Sequence, residues 1–594
     1  MVPSIIQVMR PSTYTVRYPR QWVGKPLLYA SGAMASLGDA LFGYSQGVTA
    51  AFQVQPNFIH RMYGKAVTLE EIKLRETEIH PLLPAITVAC LNVTALFGAL
   101  GSAFLLDYFG RRISIRIGAF IYLIASIIQM FSGDLMTLVL GRTIQGIGTG
   151  ILSTAVPIYQ CEIAPANARG MFIGLESLWM NAGYCLSSWI GYAFFFDVRG
   201  EASWRGPYGL QVIISLVLFV GTFYLVETPR WLIQNGFKTE GLWTLADLHA
   251  AGDVTDEKVN RTYYEIVDTL EFEERDGTTA PWRDLFKDYT RRMIMGWTGQ
   301  MFAQLNGINA LLHFLPETLT HAGFTVPQAL FYSGVCSVFY LAGTLPAIFY
   351  VDKLGRRHFL IVGSITLAMS LTIVGCLKLY IERWPERISV IGGAHGVLVG
   401  MCFYFFCFAS TWGPIPWLLS AELFPLKVRA KGMALTTVSD WLFEFIMAFC
   451  TPTLFEVMRG AYYFALVGSC IVSGLFVWLV YIETGNDTLE AIGGKFGDEQ
   501  PPLRILDADD LVLNVRRRRA RGHSTVSMSS QITAGTTAAM ASRLTLHPSH
   551  DTNQPAVLLP HGSSAGDSGS QVTLTSVGGA AAAMEKPLGS EKDV

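Results

Sequence analysis

Stretches of about 20 mostly apolar residues recur along this chain, and a segment of that kind can cross a lipid bilayer as a helix. Such a helix satisfies its own backbone N–H and C=O groups, which lipid cannot do. Twelve stretches occur, at residues 27–50, 82–106, 113–132, 135–160, 171–196, 208–226, 294–320, 328–351, 358–380, 391–421, 431–458 and 460–482. The sequence therefore predicts an all-α polytopic membrane protein with about twelve transmembrane helices.

The composition excludes several other classes of protein. Only 15% of the 594 residues are charged and 51% are hydrophobic, with a mean hydropathy of +0.36, whereas a soluble domain has about 25% charged residues. The formal net charge of −2 gives no indication of a nucleic-acid partner. All nine cysteines lie in or beside apolar stretches without metal-ligand spacing, so we expect no metal. The sequence contains no recognisable Ser-His-Asp set and no phosphate-binding Gly loop with Lys, so we expect no cofactor and no enzymatic activity.

The distribution of basic residues predicts the orientation. Residues 1–26 carry Arg and Lys but no acid, and they lack the apolar core and cleavage site of a signal peptide. Further basic clusters at 111–116, 356–358 and 427–431 fall in short loops on the same side of the predicted membrane. By the positive-inside rule both termini are cytosolic. We expect a multi-pass protein of the plasma membrane.

Two long connections, 51–81 and 227–293, suggest the domain organisation. The sequence predicts a cytosolic segment, a six-helix bundle, a cytosolic linker with short helices, a second six-helix bundle and a cytosolic tail. Their boundaries are 1–26, 27–226, 227–293, 294–482 and 483–594. From about residue 498 the tail is rich in Ser, Thr, Gly and Ala, which predicts disorder.

Three charged motifs occur twice, in the same order. The run from Asp107 to Arg112 returns 245 residues later, the motif that begins at Glu162 returns after 260, and Glu227-Thr228 returns after 256. Parallel six-helix repeats are typical of transporters in which one half rocks against the other. The positive-inside rule accounts for the basic residues but not for the acids. We predict a cytosolic gate network of Asp107, Arg111, Arg112, Glu162, Arg169, Glu227, Arg230, Asp352, Arg356, Arg357, Glu422, Arg429 and Glu483.

Several longer motifs carry a family resemblance. They are Gly141-Arg142-Thr-Ile-Gln-Gly146-Ile-Gly148-Thr-Gly150, Pro157-x-Tyr159-x-x-Glu162, Glu227-Thr-Pro229-Arg230-Trp231-Leu232, Gln304-x-x-Gly307-Ile-Asn309, Gly413-Pro414-Ile-Pro416-Trp417 and Glu483-Thr484…Thr488-Leu489-Glu490. With them the chain resembles the sugar porter family of the major facilitator superfamily over roughly residues 27–495. The resemblance implies two pseudo-symmetric six-helix bundles (the major facilitator fold) and alternating-access transport of a sugar.

The seventh stretch carries residues suited to a sugar, which needs amide or acid groups for its hydroxyls and an aromatic ring for its apolar face. Gln304 and Asn309 are five residues apart, or about 140° around a continuous helix. The resemblance assigns sugar binding to both and stacking to Trp417, which follows two prolines that we expect to break the tenth helix. The alternative for the two amides is hydrogen bonding between helices.

The chain departs from the family at several of these positions. Ala303 and His313-Phe314 replace a Gln and a Tyr-Tyr pair, Ser177 replaces a Gln, and Asp440 and Glu444 replace two Asn. A charged group at mid-membrane costs about 2.5–3.5 kcal/mol, so we expect the two acids to face the cavity, to pair or to share a proton. An alternative is that they reach water or bond a neighbouring helix. The predicted substrate-binding residues are Gln304, Asn309, Trp417, Asp440, Glu444, Ser177 and His313.

The position that couples protons in family symporters also differs. The resemblance implies that an Asp of the first helix interacts with the Arg of the fourth helix, which is Arg142 here. This chain has Ser45 at the position of that Asp. Ser cannot titrate, and Asp39, six residues earlier and about 240° around the helix, is a poor substitute. This favours facilitated diffusion over proton symport, although the acids of the eleventh helix keep symport open.

The sequence thus predicts an alternating-access carrier for a monosaccharide or related polyol, whose partners are the substrate, the bilayer and, in a symporter, a proton. Two alternatives stay open. One is a sugar sensor that signals through its cytosolic tail without transport. The other is a proton-coupled carrier of a quinate-like, inositol-like or even cationic substrate.

Overall fold

The computed structural model describes residues 22–64, 82–165, 168–196, 201–275, 282–384, 390–425, 427–485, 492 and 494–497. The predicted tail disorder beyond residue 498 and most of the predicted N-terminal segment fall outside the described residues.

Helices make up the architecture of the described chain. The first half contains α1 (Lys25–Phe52), α2 (Pro56–Tyr63), α3 (Leu82–Phe109), α4 (Arg111–Met130), α5 (Leu135–Ile163), α6 (Arg169–Phe195) and α7 (Ala202–Gly221). The connecting segment contains α8 (Pro229–Gln234), α9 (Lys238–His249), α10 (Glu257–Arg275) and α11 (Trp282–Lys287). The second half contains α12 (Thr290–Leu305), α13 (Ile308–His313), α14 (Leu315–Thr320), α15 (Val326–Ala342), α16 (Thr344–Leu354), α17 (Arg356–Arg383), α18 (Val390–Ser410), α19 (Pro414–Glu422), α20 (Arg429–Met458) and α21 (Tyr462–Val480).

These helices account for twelve membrane crossings. Eight helical segments of the described chain are long and apolar enough to span a membrane, and the last of them, Arg429–Val480, contains both α20 and α21. The other three crossings are α1, α6 and the series α12–α14. Helices α1 and α6 are less apolar because they carry many Gly, Ser and other polar residues.

The two halves form separate bundles that meet along two seams. Within the halves, α1 packs on α6, α5 packs on α3 and α4, and α17 packs on α18 and α21. Between the halves, α3 packs on α20, and α6 packs on α15 and α16. The structure is the all-α, two-bundle membrane fold that the sequence predicts.

Two of the predicted spans differ in their details. The seventh, expected as one helix over 294–320, is interrupted at Asn306–Gly307 and again at Phe314. Gly307 has a φ of +101°, a left-handed conformation that glycine adopts without strain. The sixth begins at Ala202 instead of residue 208, because the helix extends beyond its apolar part into a polar first turn, where Arg205 pairs with Glu201.

The interruption expected in the tenth span is present. Helix α18 ends at Ser410, and α19 begins at Pro414, the position in a helix where a missing N–H is tolerated. The break lies next to the space between the two halves.

The repeated charged motifs adopt the same local geometry in both halves. Gly110 and Gly355 have φ values of +85° and +87° and precede α4 and α17. In the first half the Arg111 backbone N–H donates to Glu227 Oε1 over 2.9 Å. In the second half the Arg356 N–H donates to Glu483 Oε1 over 2.8 Å. The sequence duplication is therefore a structural duplication.

Candidate transport site

A cavity lies between the two halves. Its empty space, including the part open to solvent, is about 700 Å³. The first half contributes Asp39, Phe42, Ser153, Glu176, Ser177, Met180 and Asn181, and the second half contributes Ala303, Gln304, Ile308, Asn309, Tyr340, Phe408, Trp412, Gly413, Pro414, Trp417 and Asp440. Five of the seven predicted substrate residues line it: Gln304, Asn309, Trp417, Asp440 and Ser177.

Three of these side chains form a continuous hydrogen-bonded row. Asn309 Nδ2 donates to Gln304 Oε1 over 2.7 Å, and Gln304 Nε2 donates to Asp440 Oδ1 over 2.7 Å. A continuous helix would hold Gln304 and Asn309 about 140° apart. The break at Gly307 brings the two amides into direct contact, which corrects the geometry expected from the sequence.

The row continues toward the first half through Gln46. Its Nε2 donates to Asn309 Oδ1 over 3.0 Å and to Glu444 Oε1 over 3.4 Å. Glu444 Oε1 also lies 3.6 Å from His313 Nε2. Glu444 and His313 are buried beyond Asn309 and are not among the residues that line the cavity. Asp440 and Glu444 therefore accept from different amides, although they lie one helical turn apart.

Aromatic rings form much of the remaining cavity wall. Trp417 is on the first turn of α19, directly after Pro416, and it is partly exposed. Phe42, Phe408 and Trp412 also line the space. The site thus combines amide, carboxyl and aromatic groups, which suits a ligand with both hydroxyl groups and an apolar face.

The coupling position differs from an acid–arginine pair. Arg142 Nη1 donates to Thr49 Oγ1 over 2.6 Å, and Ser45 Oγ accepts from Gln145 Nε2 over 3.2 Å. Thr49 lies one turn beyond Ser45 on α1. The arginine therefore bonds a hydroxyl group that does not titrate.

Two cavity acids were not predicted as substrate residues. Asp39 was considered only as a poor partner for Arg142, and Glu176, which directly precedes Ser177, was not singled out, yet both line the cavity and are buried. The sequence signal that could have identified them is the presence of an acidic residue within a mostly apolar helix. Within the described ranges, the cavity lining includes no Arg, Lys or His.

The predicted gate residues of both halves gather at one end of the molecule, called here the charged end. Glu162 is its central acid in the first half. Its Oε1 lies 2.7 Å from Arg111 Nη2 and 3.4 Å from Arg429 Nη1, with all three side chains buried. Because Arg429 belongs to the second half, this group joins the two halves. Arg230 acts electrostatically on the same acid.

The second half repeats this arrangement. Arg356 Nη2 lies 3.1 Å from Glu422 Oε1 and 3.0 Å from Asp352 Oδ1. Asp352 also accepts from the backbone N–H groups of Gly170 and Met171 in the first half, over 3.2 and 3.0 Å. Arg169 of the first half acts electrostatically on Glu422. Both halves therefore contribute an acid that faces an arginine of the partner half.

The remaining gate residues surround these groups. Glu227 also accepts from the Arg112 backbone N–H, and Glu483 accepts from that of Arg357 over 3.1 Å. Burial raises the pKa of Glu227, and the Arg112 guanidinium opposes this rise. Asp107 Oδ2 lies 4.0 Å from Lys431 Nζ, in a partly exposed pair.

The halves also meet at the opposite end, called here the apolar end. A cluster of buried side chains joins them there: Ala51, Val54 and Phe195 from the first half, and Val326 and Leu330 from the second. Nearer the cavity, the Tyr184 hydroxyl donates to the Leu312 carbonyl over 3.2 Å. The cavity thus lies between two contact regions of different chemistry.

Comparisons with known proteins agree with this architecture. The family model for sugar (and other) transporters matches residues 32–496. A probable glucose transporter of Neurospora crassa is 33% identical over 475 residues, covering 78% of this chain and 78% of the relative. The MFS-type transporter criB of Aspergillus cristatus is 29% identical over 483 residues, covering 80% and 95%.

A solved structure has the same fold. The proton:xylose symporter XylE, bound to 6-bromo-6-deoxy-D-glucose, matches with a TM-score of 0.66 at 24% identity. The match covers 79% of this chain and 99% of that chain. The fold is therefore that of the major facilitator superfamily, and this multi-pass membrane protein belongs to the sugar (and other) transporter family, whose members are carriers and not enzymes.

Proposed function

We propose that this protein is an alternating-access carrier that moves a monosaccharide or a related polyol through the cavity between its halves. The observation that carries the proposal is the row Asn309–Gln304–Asp440 along the cavity wall, with Trp417 in the same lining.

The row is suited to hydroxyl recognition because its groups are already oriented. Each amide is held by its neighbour, so little side-chain freedom is lost when a ligand binds. Amide and carboxyl oxygens have further lone pairs that accept hydroxyl hydrogens. The indole ring of Trp417 covers the apolar face of a sugar and excludes water.

Alternating access requires the two contact regions to open in turn. Opening the charged end separates Glu162 from Arg429 and Asp352 from the α6 backbone, and opening the apolar end separates the cluster around Val54 and Leu330. A substrate that bridges both halves biases these states only through contacts that differ between them. Gln46 bonds Asn309 and Glu444 across the halves, so it is placed to change partners during this movement.

Facilitated diffusion is the favoured mode. Arg142 bonds Thr49, and Ser45, at the position of the family's Asp, does not titrate. Proton coupling through Arg142 and this position therefore gives the transport rate no dependence on pH. Both termini are proposed to be cytosolic and the protein to reside in the plasma membrane.

Proton symport is the second candidate, because Asp440 is a buried acid within the substrate row and Glu444 is a buried acid next to it. If they exchange a proton during transport, Asp440→Asn and Glu444→Gln leave uptake insensitive to pH. Variants that keep the rate and pH profile of the parent count against any role for the pair in coupling.

The proposal is tested by uptake in cells that lack their own hexose carriers. A panel of labelled hexoses, pentoses, polyols and quinate is measured at two pH values, with and without an uncoupler. We expect saturable uptake of at least one neutral or amino-substituted sugar or polyol. Glucose is the first test compound, since a relative is named a probable glucose transporter.

The same cells distinguish the alternatives. A sensor changes the expression of other carriers but moves none of the compounds, and that result overturns the proposal. Transport of quinate alone also contradicts it. We expect quinate to be excluded, because three carboxyl groups line the cavity and would repel an anion.

A further inference from the structure

Two acids of the first half form a second polar feature of the cavity, apart from the amide row. Asp39 is 6% exposed and Glu176 is 5% exposed, and both line the cavity. Asp39 Oδ2 and Glu176 Oε2 are buried without a hydrogen-bond partner among the residues that the structure describes. Each therefore presents an unsatisfied acceptor at the cavity wall.

The packing of α1 against α6 brings the two acids together. The helices approach so closely that a Cβ at Gly43 would collide with the Met180 carbonyl oxygen. Asp39 lies four residues before Gly43, and Glu176 lies four residues before Met180, so both acids lie one turn back along the same helix contact. Their charges interact directly.

Among the described residues that line the cavity, none carries a positive charge that could compensate this pair. The cavity lining adds one more acid, Asp440, whose Oδ1 already accepts from Gln304, and Glu444 of the same helix bonds Gln46 outside the lining. The described lining includes no basic side chain. Arg142 bonds Thr49, farther along α1, and the arginines of the charged end bond Glu162 and Glu422. Two adjacent carboxylates in a site of low dielectric repel each other when both are ionised, and either a bound positive charge or a shared proton relieves that repulsion.

The rest of the lining suits an organic cation. Phe42, Tyr340, Phe408, Trp412 and Trp417 surround the same space. Aromatic faces attract ammonium groups through their quadrupole, and the attraction grows when water is excluded. Carboxylates and aromatic rings together are a combination that recognises an amine, whereas a neutral sugar would leave the acid pair uncompensated.

We propose that the cavity selects a polyhydroxylated substrate that carries an ammonium group, held between Asp39 and Glu176 while its hydroxyl groups bond the Gln304 row. This inference rests on the proposed function, because it takes the cavity to be the substrate site. It adds the charge of the substrate and the residues that read that charge.

The first test compares ligands on the purified full-length carrier in liposomes. Uptake of glucosamine is measured at about pH 6, where its amine is protonated, beside D-glucose and N-acetylglucosamine, which have no positive charge. We expect a KM for glucosamine about tenfold below those of the neutral sugars. A membrane potential that is negative inside accelerates glucosamine uptake, because the substrate itself carries the charge.

Several outcomes overturn the inference while leaving the proposed function intact. One is equal KM values for glucosamine and D-glucose. Another is D-glucose uptake accompanied by one proton, seen with a pH dye inside the liposomes, which would mean that the acids hold a proton. By contrast, no uptake of any sugar defeats the proposed function itself. The parent protein alone decides between these results.

Variants then locate the effect. Asp39→Asn and Glu176→Gln are expected to raise the KM for glucosamine about tenfold and to change that for a neutral sugar less than about twofold. Glu257→Gln, on the exposed first turn of α10, is the matched acid-to-amide control and leaves both unchanged. If the cavity variants raise both KM values equally, the pair has a structural role only and the inference fails.

Discussion

The charged end and the cavity were built from the same duplicated chain, but only the charged end has kept the symmetry. At the charged end Glu162 and Glu422 each face an arginine of their own half, and Gly110 and Gly355 take matching conformations. In the cavity the first half contributes two acids, whereas the second half contributes an amide row and most of the aromatic rings.

This difference separates two tasks. Closing one end of a two-bundle carrier requires equivalent contacts from both halves, so the duplicated motifs are retained in both. Recognising one asymmetric molecule requires different groups on the two sides of the cavity. We therefore expect substitutions at the charged end to act in matched pairs, and substitutions in the cavity to act individually.

The largest effect is expected from the buried acids of the charged end. Glu162→Gln removes the charge that compensates Arg111 and Arg429, and breaking a buried ion pair costs about 3–5 kcal/mol. Glu422→Gln is its matched counterpart and is expected to have a similar effect. Thermal unfolding of the purified variants and sugar uptake measure both. If one variant behaves as the parent and the other is inactive, the two copies of the duplicated motif are not equivalent.

A smaller effect is expected from the amide row. Gln304→Ala removes one hydrogen bond from Asp440 and one from Asn309 Nδ2, and an unsatisfied buried group costs about 1–3 kcal/mol. We expect the KM for the transported sugar to rise about tenfold. Gln300→Ala, one turn earlier on α12 and outside the cavity lining, is the control and changes the KM less. Equal effects of the two variants would remove the row from substrate recognition.

A substitution at Ser45 tests whether an acid at this position is enough to make uptake depend on pH. Ser45→Asp places a carboxyl group one turn from the Arg142–Thr49 contact, where protonation changes its interaction with the arginine. Uptake that is flat with pH in the parent should then vary, by a few-fold between about pH 5.5 and 7.5. Asn has the size of Asp without its charge, so uptake by Ser45→Asn should not vary with pH. A parent that already requires a proton gradient contradicts this picture.

The smallest effect is expected from the partly exposed pair Asp107–Lys431, which also spans the two halves. Its atoms are 4.0 Å apart, and exposed ion pairs contribute about 0–1 kcal/mol. Asp107→Asn should change uptake less than about twofold. An effect as large as that of Glu162→Gln would show that burial does not determine the relative strengths of the ion pairs at the charged end.

The spans were predictable from the sequence, and the residues that it singled out for a gate lie together at the charged end, for physical reasons. Long apolar stretches are unambiguous, and charges at the ends of membrane helices have few places to lie other than the same membrane face. The duplication added an independent check, since each acid had a counterpart in the other half.

The cavity was only partly predictable. The contact between Gln304 and Asn309 depends on a helix break, which no periodicity in an apolar stretch reveals. Gln46 bonds two residues that are 263 and 398 positions away, and Asp39 meets Glu176 only through the close packing of α1 on α6. Such contacts depend on how the helices pack, and the pattern within one helix does not contain that information.

Occupancy of this cavity by a transported sugar can be measured by alkylation of a cysteine introduced in its wall. None of the nine cysteines lines the cavity, whereas Ser177 does. In a transport-active Ser177→Cys variant, labelling by a membrane-permeant maleimide in excess of the parent reports access to the site. We predict that a saturating concentration of the transported sugar slows this labelling about fivefold or more, as complete occupancy of a buried site requires, while a stereoisomer that is not transported leaves it unchanged. Labelling that proceeds at the same rate with and without the transported sugar would contradict the account.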